Sequence, residues 1–137
     1  MADSIQKTTT YFISRGKGNT ENIARIVATR YAEGDIHAVV VASTSGHSAL
    51  TIVNGLPKDT RIYGVNFQNS DKLDSGLFDA AISAGVVFMP ENPVAKYIKD
   101  VVGHSPDSFR CFGQGMKVAV EVVMQAVEVG HIETGPH

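Results

Sequence analysis

The sequence predicts an α/β fold of three layers, in which helices cover both faces of a mostly parallel sheet. The central run, Val-Val-Val-Ala at residues 39–42, is too short for a free-standing helix and lacks polar alternation, as expected of a strand buried on both faces. Helical patterns alternate with such runs along the chain, which favours β-α-β units. With 137 residues, 43% of them hydrophobic, residues 1–137 are expected to form a single domain.

The first predicted strand and helix precede this central run. Residues 8–14 are rich in β-branched and aromatic residues and stop at a glycine-rich turn, so we predict a strand there. Asn19 or Thr20 is suited to cap the following helix, which Gly34 closes. The turn begins like a dinucleotide-binding fingerprint but lacks its third glycine, so that motif is weak.

Further strands and helices follow the central run. The sequence predicts a short helix that ends near Gly55, a strand over residues 61–67, a helix that ends at Gly85 and a buried strand over residues 86–89. The polar stretch at residues 68–76 is predicted to be a mobile loop over the site.

The most regular helix is predicted over residues 113–129, with Gly130 as its C-terminal cap. Apolar residues surround a single polar stripe, so we expect burial against the sheet and against a neighbouring helix or subunit. Met116 and Met124 are expected to fill the core. The polar stripe consists of Lys117, Glu121, Gln125 and Glu128.

Composition excludes several classes of function. A formal net charge of −2 with scattered basic residues disfavours nucleic acid and membrane surfaces as partners. No apolar run approaches a bilayer span and no hydrophobic signal segment opens the chain, so a cytoplasmic protein is expected. The single cysteine, Cys111, excludes an intramolecular disulfide and is expected to be a small core residue. The five histidines lack ligand spacing, so no metal site is predicted.

The candidate site is the hydroxyl-rich loop between the central strand and the short helix. Free backbone N–H groups, the positive end of a helix dipole and several hydroxyl groups converge there, which is what a phosphate needs. The alternative is that Ser45 or Gly46 only caps the helix. The candidate residues are Ser43, Thr44, Ser45, Gly46, His47 and Ser48. Ser45 and His47 are two residues apart without an orienting acid, so no catalytic residue is predicted.

A second candidate phosphate site comes from a resemblance. Phe-Ile-Ser at residues 12–14 and Gly-Asn-Thr-Glu-Asn-Ile-Ala at residues 18–24 resemble the phosphate loop of flavodoxins, where such a turn cradles the FMN phosphate. This likeness implies that Gly18, Asn19 and Thr20 contact a phosphate. The chain departs from flavodoxins because it has no tryptophan and no later aromatic and acidic loop to stack on the flavin ring.

A wider resemblance covers most of the chain. Residues 9–21, 39–49 and 112–121 resemble small free-standing proteins, many of them archaeal, that are similar to the C-terminal α/β domain of pyruvate kinases. The block at residues 112–121 is the most specific and adds Gln114 and Gly115 to the candidate site. The resemblance implies a pyruvate kinase C-terminal-domain-like fold and a phosphate-bearing ligand, FMN, without kinase activity.

The chain also departs from this family. In its members another strand and a glycine-rich loop follow the position at which residues 134–137 end this chain, and in pyruvate kinase that strand lies beside the central one. Without it, the central strand is expected to pair with another chain, in a homo-oligomer or a hetero-complex. Three functions therefore stay open: a phosphate-ligand binding module, a subunit of a larger multi-chain enzyme, and a flavodoxin-like electron carrier.

Overall fold

A computed structural model describes residues 6–66, 74–89 and 106–133 and shows an α/β fold. Short 3-10 turns at Lys17–Asn19 and Pro106–Phe112 precede the first and last helices in this part of the chain. The helices and strands of the described residues, in chain order, are α1 (Thr20–Tyr31), β1 (Val39–Ala42), α2 (His47–Asn54), β2 (Ile62–Val65), α3 (Ser75–Ser83), β3 (Val86–Met89) and α4 (Gln114–Glu128).

The strands form a parallel sheet in the order β1-β2-β3. Val39 lies opposite Ile62, which lies opposite Val86, so the three strands start level with one another. Helix α2 connects β1 to β2 and α3 lies between β2 and β3 in the chain, as parallel pairing requires. Their carboxyl ends therefore share one edge of the sheet. Within the described residues β1 is an outer strand of this sheet.

Each face of the sheet packs against different helices. Alternate strand residues, such as Val41 and Ile62, face α1, α2 and α3, whereas their neighbours, such as Val40 and Val65, face α4. The three-layer arrangement predicted from the sequence is therefore present. The buried core is Ala24, Val41, Ala49, Ile52, Val53, Leu56, Ile62, Ala81 and Val86 on the first face and Val65, Met89, Val122 and Ala126 on the second.

Helix α4 runs antiparallel to the strands. His131, just after its C-terminal end, stacks on Tyr63 near the start of β2, with the ring centroids 4.5 Å apart. A 15-residue helix is about 22 Å long, whereas a four-residue strand spans only about 13 Å. The first turn of α4 therefore lies at or beyond the carboxyl edge of the sheet, where residues 43–48 also begin.

The predicted strand at residues 8–14 is wrong. This segment forms neither helix nor strand, and Tyr11 and Ile13 are 87% and 107% exposed. It passes along the outer side of α1, where the ammonium of Lys7 pairs with Glu33. β-Branched composition favours a strand but does not place it in a sheet, and this segment packs along α1 rather than beside the outer strand β1.

Two predictions about buried side chains near the end of the chain are also wrong. Met116 is 50% exposed rather than in the core, because the apolar arc of α4 is wider than the surface that the sheet covers. Cys111 is exposed, and its thiol donates to the carbonyl oxygen of Ser108 at 3.0 Å. The polar stripe of α4 is partly turned inward, since Glu121 and Gln125 are buried.

The remaining elements begin and end close to their predicted positions. Of the predicted loop at residues 68–76, residues 68–73 lie outside the described part of the chain, and Asp74 caps α3. Gly85 and Gly130 end α3 and α4 with positive φ angles of 109° and 75°. In the described ranges, none of the helices combines the length and apolar character needed to cross a bilayer.

Candidate functional site

The serine-rich loop, residues 43–48, leaves the carboxyl edge of the sheet and enters α2. Ser43 continues the ladder of β1, because its N–H donates to the carbonyl oxygen of Val65 at 2.9 Å. Its side chain is turned inward, and Ser43 is only 2% exposed. The Ser43 hydroxyl accepts a hydrogen bond from the N–H of Ala49 at 3.1 Å, which satisfies one donor of the first turn of α2. Ser43 is therefore part of the framework of the loop.

Gly46 gives the loop its sharp turn. It has a φ angle of 87°, in the left-handed region that favours glycine, and it precedes the first residue of α2. A Cβ atom at Gly46 would lie 2.8 Å from the backbone nitrogen of Phe78 and 2.9 Å from the carbonyl carbon of Leu77. The first turn of α3 therefore packs directly on the loop, and the N-terminal ends of α2 and α3 meet at Gly46.

The N-terminal donors of α2 are only partly satisfied. The N–H of His47 lies 3.4 Å from the hydroxyl oxygen of Ser45, a long hydrogen bond. Among the described residues, the structure gives the N–H of Ser48 no acceptor. The side chains of Thr44, Ser45, His47 and Ser48 are half-buried. The loop therefore presents one backbone donor and several hydroxyl groups at the positive end of a helix dipole.

A carboxylate lies close to the same region. Asp74 caps α3, and its side chain accepts from the N–H of Leu77 at 3.1 Å. Because Leu77 packs on Gly46, this negative charge lies about one helical turn from the serine-rich loop. A phosphate in the loop would therefore be held mainly by hydrogen bonds and the dipole of α2.

The second predicted phosphate turn is used differently. The side-chain amide of Asn19 donates to the carbonyl oxygen of Ser14 at 2.6 Å. The backbone N–H of Asn19 donates to the carbonyl oxygen of Gly16 at 3.1 Å. Asn19 precedes α1 without making a side-chain capping bond, and Thr20 is the first residue of the helix. Gly18 is exposed in the 3-10 turn.

The two predicted phosphate turns are not brought together by the contacts of α1 and α2. A Cβ atom at Gly55, at the C-terminal end of α2, would lie 4.0 Å from the Cβ of Ala24 in the second turn of α1. The eight residues of α2 span about 12 Å between that end and the serine-rich loop. The turn that leads into α1 therefore lies closer to the C-terminal end of α2 than to the serine-rich loop. This turn holds Gly18, Asn19 and Thr20.

Gln114 and Gly115 lie exposed in the first turn of α4. Helix α4 is on the opposite face of the sheet from α2, but its start lies at the same carboxyl edge as the serine-rich loop, because the helix runs antiparallel to the strands. The antiparallel direction therefore brings these residues to the edge that carries the first candidate site.

One feature near the chain's start was not predicted from the sequence. An open groove of about 910 Å³ lies between residues 6–12 and the outer side of α1. Its lining includes the apolar side chains of Phe12 and Ile26 and the guanidinium of Arg25, which donates to the side-chain oxygen of Asn22. The groove could not be predicted from local sequence patterns, because the composition of the segment that forms one of its walls predicts a strand in the sheet.

Charged groups at the end of α1 form a small network. The guanidinium of Arg30 donates to both carboxylate oxygens of Asp35, with a distance of 2.9 Å from Nη2 to Oδ2, and lies 3.3 Å from Glu33. These hydrogen bonds lower the pKa of Asp35 to about 2 and raise the pKa of Arg30.

In the described part of the chain, no three His, Cys, Asp or Glu side chains come together as metal ligands. A search against models of protein families finds none that matches this chain.

Proposed function

We propose that this chain is a binding module for a phosphorylated small molecule, specifically FMN, without kinase activity and located in the cytoplasm. The observation that carries the proposal is the serine-rich loop at the N-terminal end of α2, with the N–H of Ser48 and neighbouring hydroxyl groups at the carboxyl edge of a parallel sheet. In open α/β sheets, ligands bind outside the carboxyl ends of the strands.

The loop has the chemistry to hold a phosphate but no group placed to react with it. Its hydroxyl groups and the N–H of Ser48 donate hydrogen bonds, and the dipole of α2 favours negative charge. Ser43 and Gly46 position these donors, because one ties the loop to Ala49 and the other packs on α3. The proposed activity is therefore binding.

FMN is proposed because two resemblances agree on it. The likeness of residues 18–24 to the flavodoxin phosphate loop and the likeness of residues 112–121 to pyruvate kinase C-terminal-domain-like proteins both imply a phosphate-bearing ligand. The FMN phosphate is proposed to lie on one of the two turns, at residues 18–20 or 43–48. A sugar phosphate is the alternative ligand of the same site.

The loop is tested by removing two hydroxyl groups other than that of Ser43, which is bonded to Ala49; the Ser45 hydroxyl makes only a long hydrogen bond, to the N–H of His47. The double variant Ser45→Ala with Ser48→Ala is expected to weaken binding by about 1 to 3 kcal/mol, the scale of hydrogen bonds to a charged group. Calorimetric titration with FMN and with inorganic phosphate measures this. Ser43→Ala is the framework control, expected to lower the free energy of unfolding by about 1 kcal/mol through the lost helix cap. An affinity unchanged by the double variant would remove the loop from the binding site.

The identity of the ligand is tested separately. Added FMN is expected to lose fluorescence on binding, and protein purified from its own source is expected to show flavin absorbance. If FMN neither binds nor is quenched while a sugar phosphate binds, the loop assignment stands and the flavin assignment is wrong. If no phosphorylated compound binds, the proposed function is wrong.

A second candidate function is a subunit that completes a site in a larger multi-chain enzyme. The observation that favours it is the outer position of β1, which leaves one side of the strand that leads into the serine-rich loop without a neighbouring strand in the described part of the chain. Native mass spectrometry of protein from its own source is expected to show a second chain type bound, and a homogeneous species would count against this candidate.

A further inference from the structure

We propose that Asn66 contacts the ligand of the serine-rich loop, and that its side-chain oxygen accepts a hydrogen bond from a hydroxyl group of a phosphorylated polyol. This inference rests on the proposed phosphate site and narrows its ligand to phosphate esters with a hydroxyl group near the phosphate. FMN, through its ribityl chain, and sugar phosphates share this chemistry. The inference depends on a buried oxygen without a partner and on its position beside the loop.

Asn66 carries this buried oxygen. The residue as a whole is half-buried, but its Oδ1 atom is shielded from solvent and accepts no hydrogen bond among the described residues. Buried polar atoms of folded proteins are nearly always paired with protein or ordered water, because an unpaired one loses its bonds to solvent without replacement. The oxygen of Asn66 therefore indicates a place where a donor from outside the chain is held.

Asn66 lies beside the start of the serine-rich loop. Ala42 and Val65 are register partners at the ends of β1 and β2. The residues that follow them, Ser43 and Asn66, therefore stand side by side, at the interstrand spacing of about 4.8 Å. Val65 faces α4 and successive side chains alternate, so the Asn66 side chain extends toward α2 and α3. Ser43 turns its hydroxyl the same way, to Ala49 in the first turn of α2.

The N-terminal ends of two helices meet near this position. Phe88 lies against Gly64, which is two residues before Asn66 and on the same face of the sheet. Phe78, in the first turn of α3, stacks on Phe88 and meets Gly46 through its backbone. The oxygen of Asn66 is therefore close to the point where α2 and α3 begin, next to the partly satisfied donors of the serine-rich loop.

The ligand group that meets Asn66 has to be a hydrogen-bond donor. The neighbouring N–H of Ala49 is already committed to the Ser43 hydroxyl. A phosphate dianion offers only acceptor oxygens, so it fits the N–H of Ser48 but does not satisfy a carboxamide oxygen. A hydroxyl group next to the phosphate supplies the missing donor without bringing a second charge into a buried position.

The first test compares two ligands that differ in their hydroxyl groups. Glycerol-3-phosphate and n-propyl phosphate carry the same phosphate on a three-carbon chain, and only the former has hydroxyl groups. Calorimetric titration is expected to show that the wild type binds glycerol-3-phosphate at least about fivefold more tightly, the scale of one hydrogen bond. Equal affinities would show that water satisfies the oxygen and would overturn this inference, while the phosphate site stands. If neither compound binds, and FMN and ribose-5-phosphate do not bind either, the proposed function is wrong and this inference fails with it.

The second test assigns that preference to Asn66. Asn66→Leu removes the unpaired oxygen with little change in volume and is expected to abolish the preference by weakening glycerol-3-phosphate alone. Whichever of FMN and ribose-5-phosphate the wild type binds more tightly is expected to be weakened by the same factor. Thr60→Val is the matched control and is expected to keep the preference. In the described part of the chain the Thr60 hydroxyl is also buried and unpaired, but it lies before β2, at the opposite edge of the sheet.

A stability measurement separates binding by Asn66 from a structural role. An unpaired buried oxygen costs free energy in the protein without ligand, so Asn66→Leu is expected to keep or raise the urea midpoint. A lower midpoint together with equal weakening of both phosphate esters would show that Asn66 supports the fold of the loop, and would overturn the assignment. If Asn66→Leu does not fold, Asn66→Ala takes its place in the same titrations, and the two-ligand comparison on the wild type still decides whether a hydroxyl group is recognised.

Discussion

At the residue scale, two small residues determine the shape of the candidate site. Ser43 uses its hydroxyl to satisfy the N–H of Ala49, and Gly46 turns the chain with a φ angle that side chains rarely adopt. Neither residue is an exposed donor, although both belong to the pattern that predicts a phosphate loop. Their role is to position Thr44, Ser45 and Ser48, whose side chains are half-buried.

Gly46→Ala is expected to lower the free energy of unfolding by more than about 2 kcal/mol, because the left-handed turn and the contact with the backbone of Phe78 both oppose a Cβ atom. Gly115→Ala is the control, and it is expected to change the free energy of unfolding in the opposite direction. Gly115 lies within α4 with open space around it, so alanine is expected to stabilise the protein by about 0.5 to 1 kcal/mol. Urea denaturation measures both. Similar effects of the two variants would contradict the role given to Gly46.

At the element scale, the end of α1 and the inner side of α4 carry the ion pairs with testable consequences. The pKa of Asp35 is about 2 in the folded protein, below its ordinary value of 3.8, because Arg30 donates hydrogen bonds to the carboxylate. A carboxyl group whose pKa is lower in the folded than in the unfolded protein stabilises the fold. That contribution is fully present when the pH is above the unfolded pKa, and it is lost as the pH falls through the folded pKa. The contribution of Asp35 is therefore present above about pH 4 and is lost between about pH 4 and pH 2.

Asp35→Asn is expected to lower the urea midpoint above pH 4 and to have a shrinking effect as the pH falls to 2. The effect is expected to be small and to decrease with added salt, since both side chains are exposed. Midpoints of wild type and variant measured from pH 2 to pH 6 test this. A difference that stays constant across that range would show that the Arg30 contact does not control the titration of Asp35.

Helix α4 holds a shielded ion pair. The ammonium of Lys117 lies 2.8 Å from the Glu121 carboxylate, and the two side chains are only 14% and 9% exposed. Removing one member of such a pair leaves an uncompensated charge and destabilises the protein. Replacing both members with apolar residues often leaves the free energy of unfolding unchanged.

Glu121→Met alone is therefore expected to cost about 1 to 3 kcal/mol of unfolding free energy, and Lys117→Met with Glu121→Met is expected to recover most of it. The exposed pair of Lys7 and Glu33 is the control, and Lys7→Met is expected to change stability by less than about 0.5 kcal/mol. Urea denaturation of the wild type, Lys117→Met, Glu121→Met and the double variant completes the cycle. A loss in the double variant equal to the sum of the losses in Lys117→Met and Glu121→Met would show that the pair has no coupling.

At the scale of the whole molecule, the sheet has two faces of different character. The face toward α1, α2 and α3 holds the larger buried cluster, and Gly64 there leaves space for Phe88, which stacks on Phe78 at 4.1 Å between ring centroids. The face toward α4 is covered less completely, since Val87 of β3 stays 48% exposed. The serine-rich loop leaves the sheet at its carboxyl edge, at the end of β1, the outer strand among the described residues.

Sequence alone determined the elements whose signals are local. The apolar run of β1, the glycines that end α3 and α4, and the spacing of apolar residues in α1 and α4 all depend on residues close together in the chain, and the structure confirms these elements. The position of the serine-rich loop between a buried strand and a helix could be predicted for the same reason.

Only the tertiary structure decided which side chains are exposed and which are buried or already hydrogen-bonded. Residues 8–14 have strand composition, but a strand needs a distant partner edge that no local pattern specifies, so the segment lies along α1 instead. The inward turn of Glu121 depends on which side of α4 the sheet covers, and a repeating pattern shows a stripe without showing what it faces. Likewise, the hydroxyl of Ser43 is committed to Ala49 only because the loop folds back onto its own helix.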